Sequence, residues 1–122
     1  MPPEIYIGTD IVTVSRIRDL IATHPERFIQ RTYTDQEQSY CVGKADPVIH
    51  YAGRFAAKEA IKKALMTSGI KEPISWVEME VIADHDGAPI VNLQGGKFSG
   101  LDCKVSISHT KDIAIASAVI TK

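Results

Sequence analysis

The stretch PVIHYAGRFAAKEAIKKALMTS, residues 47–68, limits what this chain can fold into more than any other. Apart from Pro47 at its start it holds no proline, and Gly69 follows as a C-terminal stop, so it reads as one long helix. On a helical wheel Ala57, Ala60, Ile61 and Ala64 share one side, while Lys58, Glu59, Lys62 and Lys63 spread over much of the other. The plain account of the charged arc is a solvated face with Glu59 and Lys63 paired at i, i+4, a contribution of about 0.2–0.5 kcal/mol. Phe55 and Met66 fall inside that arc, so it is not uniformly wet, and the small alanines opposite allow another backbone to come close.

Shorter elements flank this helix. Ile5 to about Asp10 reads as a strand, and Val14, Ile17, Leu20 and Ile21 give the helical period to residues from about 12 to 22. Pro25 can open a short helix after His24, and Thr34 with Glu37 forms a capping box at the start of another. Beyond Gly69 the period changes to two. In SWVEMEVIAD, Trp76, Glu78 and Glu80 alternate with Val77, Met79 and Val81, as in a half-buried strand, and Asp86-Gly87 turns the chain into a return strand. CKVSISHT and IAIASAVI make a second hairpin around Lys111 and Asp112. Helices first and antiparallel strands second indicate an α+β fold, and 122 residues fit one domain, 1–122.

The totals exclude several function classes. Lys and Arg number 14 against 15 Asp and Glu, without the basic excess of a nucleic-acid binder. Of five arginines, Arg16, Arg18, Arg27 and Arg31 crowd into one segment, and Arg54 stands apart. Cys41 and Cys103 sit in no paired motif, which argues against a disulfide framework or a zinc site. MPPEIYIG lacks the basic region and long apolar run of a leader, and no segment reaches the length of a membrane span. A reduced, cytoplasmic chain is expected.

Three places bear chemistry. Asp10 lies where two apolar runs meet; it suits either a cap on the following helix or a metal ligand at a strand end, and Gly8 beside it leaves room for something to approach. His109 ends an apolar strand face begun by Val105 and Ile107, where a structural role is the commoner one. Ser108-His109 lacks the glycine pattern of a hydrolase nucleophile, and Asp84-His85-Asp86 before Gly87 reads as turn chemistry, not a metal site.

Taken together and in order, IGTDIVTVSRI, GRFAAKEAIKKAL and VSISHT resemble the small bacterial holo-(acyl-carrier-protein) synthase type of 4′-phosphopantetheinyl transferase over nearly the whole chain. The resemblance implies transfer of the 4′-phosphopantetheine arm of coenzyme A to a serine of an acyl carrier protein, releasing adenosine 3′,5′-bisphosphate in support of fatty acid biosynthesis. It implies a long helix packed on a small antiparallel sheet, and a homotrimer with active sites between subunits. By the same resemblance Asp10 and Glu59 match the ligands of Mg²⁺, a cation that favours oxygen donors. Lys63 matches the lysine at the pyrophosphate, and His109 and Arg54 match residues beside the coenzyme A phosphates. Glu59, directly or through a metal-bound water, is the preferred acceptor of the serine proton. Arg16 matches an arginine that docks the carrier protein, and Arg27 belongs to the same surface; a basic cluster suits an acidic carrier.

Two other functions compete. One is a catalytically silent module that binds coenzyme A or an acidic partner; the paired carboxylates Asp10 and Glu59 argue against it, since binding a diphosphate does not require them. The other is a broad-specificity transferase for secondary-metabolism carriers, whose members are about twice this length.

Overall fold

The computed structural model of the protein describes residues 4–122. The first three residues of the MPPEIYIG stretch lie outside them. The element order is β1 (Ile5–Thr13), α1 (Val14–Thr23), α2 (Pro25–Thr32), α3 (Asp35–Val42), α4 (Pro47–Thr67), β2 (Met79–Ala83), β3 (Pro89–Leu93), β4 (Asp102–His109) and β5 (Ile113–Thr121), with 3-10 turns at Trp76–Glu78 and Gly96–Phe98. The architecture is α+β, as expected.

Local chemistry sets the helix boundaries. Thr34 accepts from the backbone N–H of Glu37 at 3.2 Å and Glu37 accepts from that of Thr34 at 2.8 Å, so the expected capping box opens α3. Asp46 caps α4 by accepting from the N–H of Val48 at 3.2 Å, with Pro47 in the first turn. Gly69, at φ 106°, lies just past Ser68 at the other end, where a left-handed residue terminates the helix. Strand β1 runs three residues further than the sequence suggests. Its pairing with β5 holds from Ile5↔Thr121 to Thr13↔Ile113, and these bonds keep residues 11–13 extended.

The main sheet has the antiparallel order β1-β5-β4, and β2 with β3 forms a separate hairpin. Helix α4 covers one face of the main sheet. Ala114, Ala116 and Ala118 of β5 point inward and are buried, and their small side chains let the helix lie close. The other face is open and apolar, with Ile5, Ile7 and Ile11 of β1 and Ile113, Ile115 and Val119 of β5 all exposed.

Two expectations are corrected here. Lys58 is not on a solvated face: α4 is wrapped on most sides, and Lys58 is fully buried. Its ammonium meets the buried carboxylate of Glu37 at 2.8 Å and donates to the carbonyls of Trp76 and Met79, both at 2.9 Å. All three N–H donors are satisfied, which is what makes a buried lysine tolerable. Burial pushes the Lys58 pKa down, and the Glu37 charge works against that shift. The second correction is SWVEMEVIAD. Trp76–Glu78 is a 3-10 turn, because Ser75 and Glu78 form a capping box there, and only Met79–Ala83 is strand. Glu80 is buried instead of outward-facing, where it accepts from Asn92 at 3.2 Å.

Candidate active site

Asp10 lies within β1, three residues before Thr13, which occupies the N-cap position of α1. The capping role is thereby excluded. The alternation of β1 turns Asp10 towards α4, and its side chain is 17% exposed. The room beside Gly8 is filled by that helix: a Cβ on Gly8 would stand 1.9 Å from the carbonyl oxygen of Ala60 and 2.9 Å from the nitrogen of Ala64. Only glycine permits backbones this close.

The close approach sets up the first cluster. Lys63, one residue before Ala64, donates to Asp10 Oδ1 at 3.1 Å and to the Thr9 carbonyl at 2.9 Å. Glu59 sits one turn earlier on α4 and is half-buried. Among the described residues it has no ion-pair partner, so the i, i+4 pair with Lys63 is not formed: Lys63 reaches across to β1 instead. Asp10 keeps one carboxylate oxygen free of Lys63, and Glu59 keeps both. Thr9, Asp10, Ile11, Lys63 and Ile115 line a shallow depression at this point.

Arg54 and His109 come together in a second cluster. They line a cleft of ≈ 220 Å³ with Tyr40, His50, Gly87, Pro89 and Ile107. Arg54 donates from Nε to the Val81 carbonyl at 3.2 Å, and its guanidinium lies 3.9 Å from the centroid of the Tyr40 ring. The Lys44 ammonium lies 4.5 Å from the same centroid. Two cations thus lie against the one aromatic ring of Tyr40. The His50 and His109 rings meet edge to face at 5.9 Å. Burial, then the charges of Arg54, His109 and Lys44, push the His50 pKa below its ordinary value, and Asp46 opposes them.

Tyr40, Lys44 and His50 were not singled out from the sequence. His50 carried a usable signal, since it precedes Arg54 by one helical turn. Tyr40 and Lys44 carried none, because only the packing of α3 against α4 brings them in.

Arg16 and Arg27 lie on α1 and α2, both exposed. Arg16 stands 5.5 Å from the centroid of Phe55, which stacks on Trp76 at 5.1 Å, so an aromatic pair supports its guanidinium. Arg18 pairs with the α4 cap Asp46 at 3.3 Å. Asp84, His85 and Asp86 do bring ligand atoms within 4.8 Å of one another. Asp84 Oδ1, however, accepts from the N–H groups of Asp86 and Ala88, both at 2.9 Å, which is the turn chemistry expected of it.

Both the sequence and the fold have counterparts among known proteins. The sequence profile described as the 4′-phosphopantetheinyl transferase superfamily matches residues 6–118. A holo-(acyl-carrier-protein) synthase of Chlamydia pneumoniae is 45% identical over 118 residues, covering 94% of this chain and 95% of its own. One from Chlorobaculum tepidum is 43% identical over 113 residues, covering 93% and 95%. Among solved structures, the Helicobacter pylori holo-(acyl-carrier-protein) synthase in complex with coenzyme A superposes with a TM-score of 0.82 at 32% identity, over 93% of this chain and 98% of that one. The Bacillus anthracis enzyme in complex with CoA (3′,5′-ADP) gives a TM-score of 0.82 at 32% identity, over 99% of each chain. By sequence over nearly its whole length, and by a fold shared with solved holo-(acyl-carrier-protein) synthases, this chain belongs to the 4′-phosphopantetheinyl transferase superfamily.

Proposed function

We propose that this protein, as one domain over residues 1–122, transfers 4′-phosphopantetheine from coenzyme A to a serine of an apo-acyl carrier protein. The observation that carries the reading is the meeting of Asp10 and Lys63 across β1 and α4 with Glu59 one turn away. A silent binding module would have no use for two carboxylates next to a lysine that must neutralise phosphate.

Asp10 and Glu59 fit Mg²⁺. They supply oxygen donors only, from two elements, and neither carboxylate is fully engaged by the protein. Bound there, the cation would neutralise charge on the diphosphate. In the transfer, the serine oxygen forms a bond to the phosphorus that bears the pantetheine arm. The bond from that phosphorus to the bridging oxygen breaks, and adenosine 3′,5′-bisphosphate leaves. Lys63, half-exposed at 55%, has the freedom to turn from Asp10 to the departing phosphate, where negative charge grows. Glu59 has no ion-pair partner among the described residues, and it takes the serine proton directly or through a water. Arg54 and His109 hold the nucleotide phosphate in their cleft.

Arg16 and Arg27 receive the acidic carrier protein. Phe55 and Trp76 beneath Arg16 limit its motion and lower the entropy lost on docking. The open face of the main sheet is part of the same reading. Ile7 is 67% and Ile11 64% exposed beside Ile115 and Val119, an apolar surface suited to a homotrimer with sites at its interfaces. Cytoplasmic action fits the two free, buried cysteines, and among the described residues no helix is long and apolar enough to cross a membrane.

The test is direct. The protein is incubated with apo-acyl carrier protein, coenzyme A and Mg²⁺, and the carrier is weighed by mass spectrometry. A gain of one phosphopantetheine that disappears with chelator, and returns with added Mg²⁺, supports the reading. An unmodified carrier overturns it. Activity undiminished in chelator removes the metal. Sedimentation equilibrium tests the trimer, which a monomeric mass with full activity would remove. Arg16→Glu should raise KM for the carrier and leave that for coenzyme A unchanged.

A further inference from the structure

We propose that His50 is a second imidazole of the phosphate cleft, and that it takes up a proton when a phosphate monoester dianion binds there, coupling coenzyme A affinity to pH. The inference rests on the reading of this cleft as a coenzyme A phosphate site.

The geometry is specific. His50 comes from α4 and His109 from the end of β4, and their rings meet at 5.9 Å with an interplanar angle of 69°. Both line the cleft with Arg54 and Tyr40. The two imidazoles and the guanidinium of Arg54 therefore border one volume. A phosphate monoester, with three terminal oxygens, can accept from all three. The diphosphate is the poorer occupant. It belongs with Lys63, and Arg54 and Lys63 are about 14 Å apart along the helix axis at 1.5 Å per residue. Coenzyme A carries one monoester, on its ribose, and dephospho-coenzyme A lacks it.

The charges facing His50 are Arg54 on its own helix, His109 from β4, Lys44 from the segment before α4, and Asp46 at the α4 cap. Tyr40 of α3 presents its ring 5.8 Å away. In the free protein, burial and then Arg54, His109 and Lys44 push the imidazole below its ordinary pKa of 6.5, which favours its neutral form. A dianion in the cleft reverses that balance and favours the imidazolium, which donates from both nitrogens. The folded-state pKa is then higher in the complex than in the free protein. Binding takes up a proton between the two values and tightens as pH falls through the upper one. Below about pH 6 the monoester itself begins to protonate and the gain ends.

The test titrates the full chain with coenzyme A and with dephospho-coenzyme A between about pH 6 and 8, in buffers of differing ionisation enthalpy. Wild-type binding of coenzyme A should take up protons and tighten as pH falls, and dephospho-coenzyme A should show the effect weakly or not at all. His50→Asn should weaken coenzyme A binding about tenfold near pH 6.5, reduce proton uptake, and leave dephospho-coenzyme A unchanged. In the unaltered protein, the NMR titration midpoint of the His50 ring should rise when coenzyme A is added, a measurement that needs no variant. An unmoved midpoint, or a folded His50→Asn protein with wild-type affinity and proton uptake, overturns the role of His50 and leaves the transferase reading standing. Failure of the wild-type protein to bind coenzyme A at any pH overturns both.

Discussion

Lys63 donates to the carboxylate of Asp10 at 3.1 Å across the gap between α4 and β1, while its neighbour Lys62 lies 5.9 Å from the ring centroid of Trp76. Adjacent lysines on one helix thus serve different surfaces. Lys63→Ala should lower kcat by about a hundredfold with little change in KM for coenzyme A, since the lost charge matters most when the leaving phosphate gains its own. Lys62→Ala should be milder. Steady-state kinetics on both variants decide it, and equal losses would reduce the helix to a diffuse positive field.

Gly8→Ala should damage both stability and activity. The added Cβ meets backbone atoms of α4, which have no rotamer to change, so helix and strand must separate. A loss of about 3 kcal/mol or more is expected in urea denaturation. Activity should fall further than the unfolded fraction explains, because separation draws Lys63 from Asp10. A variant with wild-type stability would show that the contact is looser than the 1.9 Å spacing implies.

Glu37 and Lys58 should be strongly coupled. Lys58→Met leaves the Glu37 carboxylate buried with the N–H groups of Thr34 and Val81 but no countercharge, a loss of about 3–5 kcal/mol. Glu37→Gln with Lys58→Met together should cost less than the two single losses added. Additive losses in chemical denaturation would mean that the residues act independently.

Cys41 and Cys103 should be inert to thiol reagents in the native protein. Burial pushes both thiols up to about 12, so almost no thiolate exists at neutral pH. Labelling should follow global unfolding with urea and show no fast phase. Rapid native-state modification of either residue would contradict the packing around it.

The helices were legible in the sequence because their signals are local. Thr34 with Glu37, Pro25 and Gly69 each act within one turn, and each stands where expected. The resemblance of their motifs marked Asp10 and Lys63 as candidates, but their contact was not legible, since 53 positions separate them. Lys58 shows the limit of helical periodicity. A wheel assigns faces on the assumption that one side meets water, and α4 has sheet on one side and α3 with β2 on another. Glu37 was read correctly as a cap, yet its second oxygen reaches the N–H of Val81, a role that no local signal announces. The alternation at residues 76–81 misled for a related reason: Ser75 offered the backbone a competing 3-10 turn.

Pairing of β1 with β5 joins positions about a hundred residues apart, from Thr13 with Ile113 to Ile5 with Thr121. During synthesis, β1 therefore leaves the ribosome long before the strand that must lie beside it, and α4 has only a one-stranded support to settle on. Contacts of such long range are slow to form. Until β5 inserts between β1 and β4, only the contact with α4 can hold Asp10 in place, without the strand ladder that fixes its register. The pairing that places Asp10 opposite Ala116 is therefore completed only after nearly all of this sequence has been made.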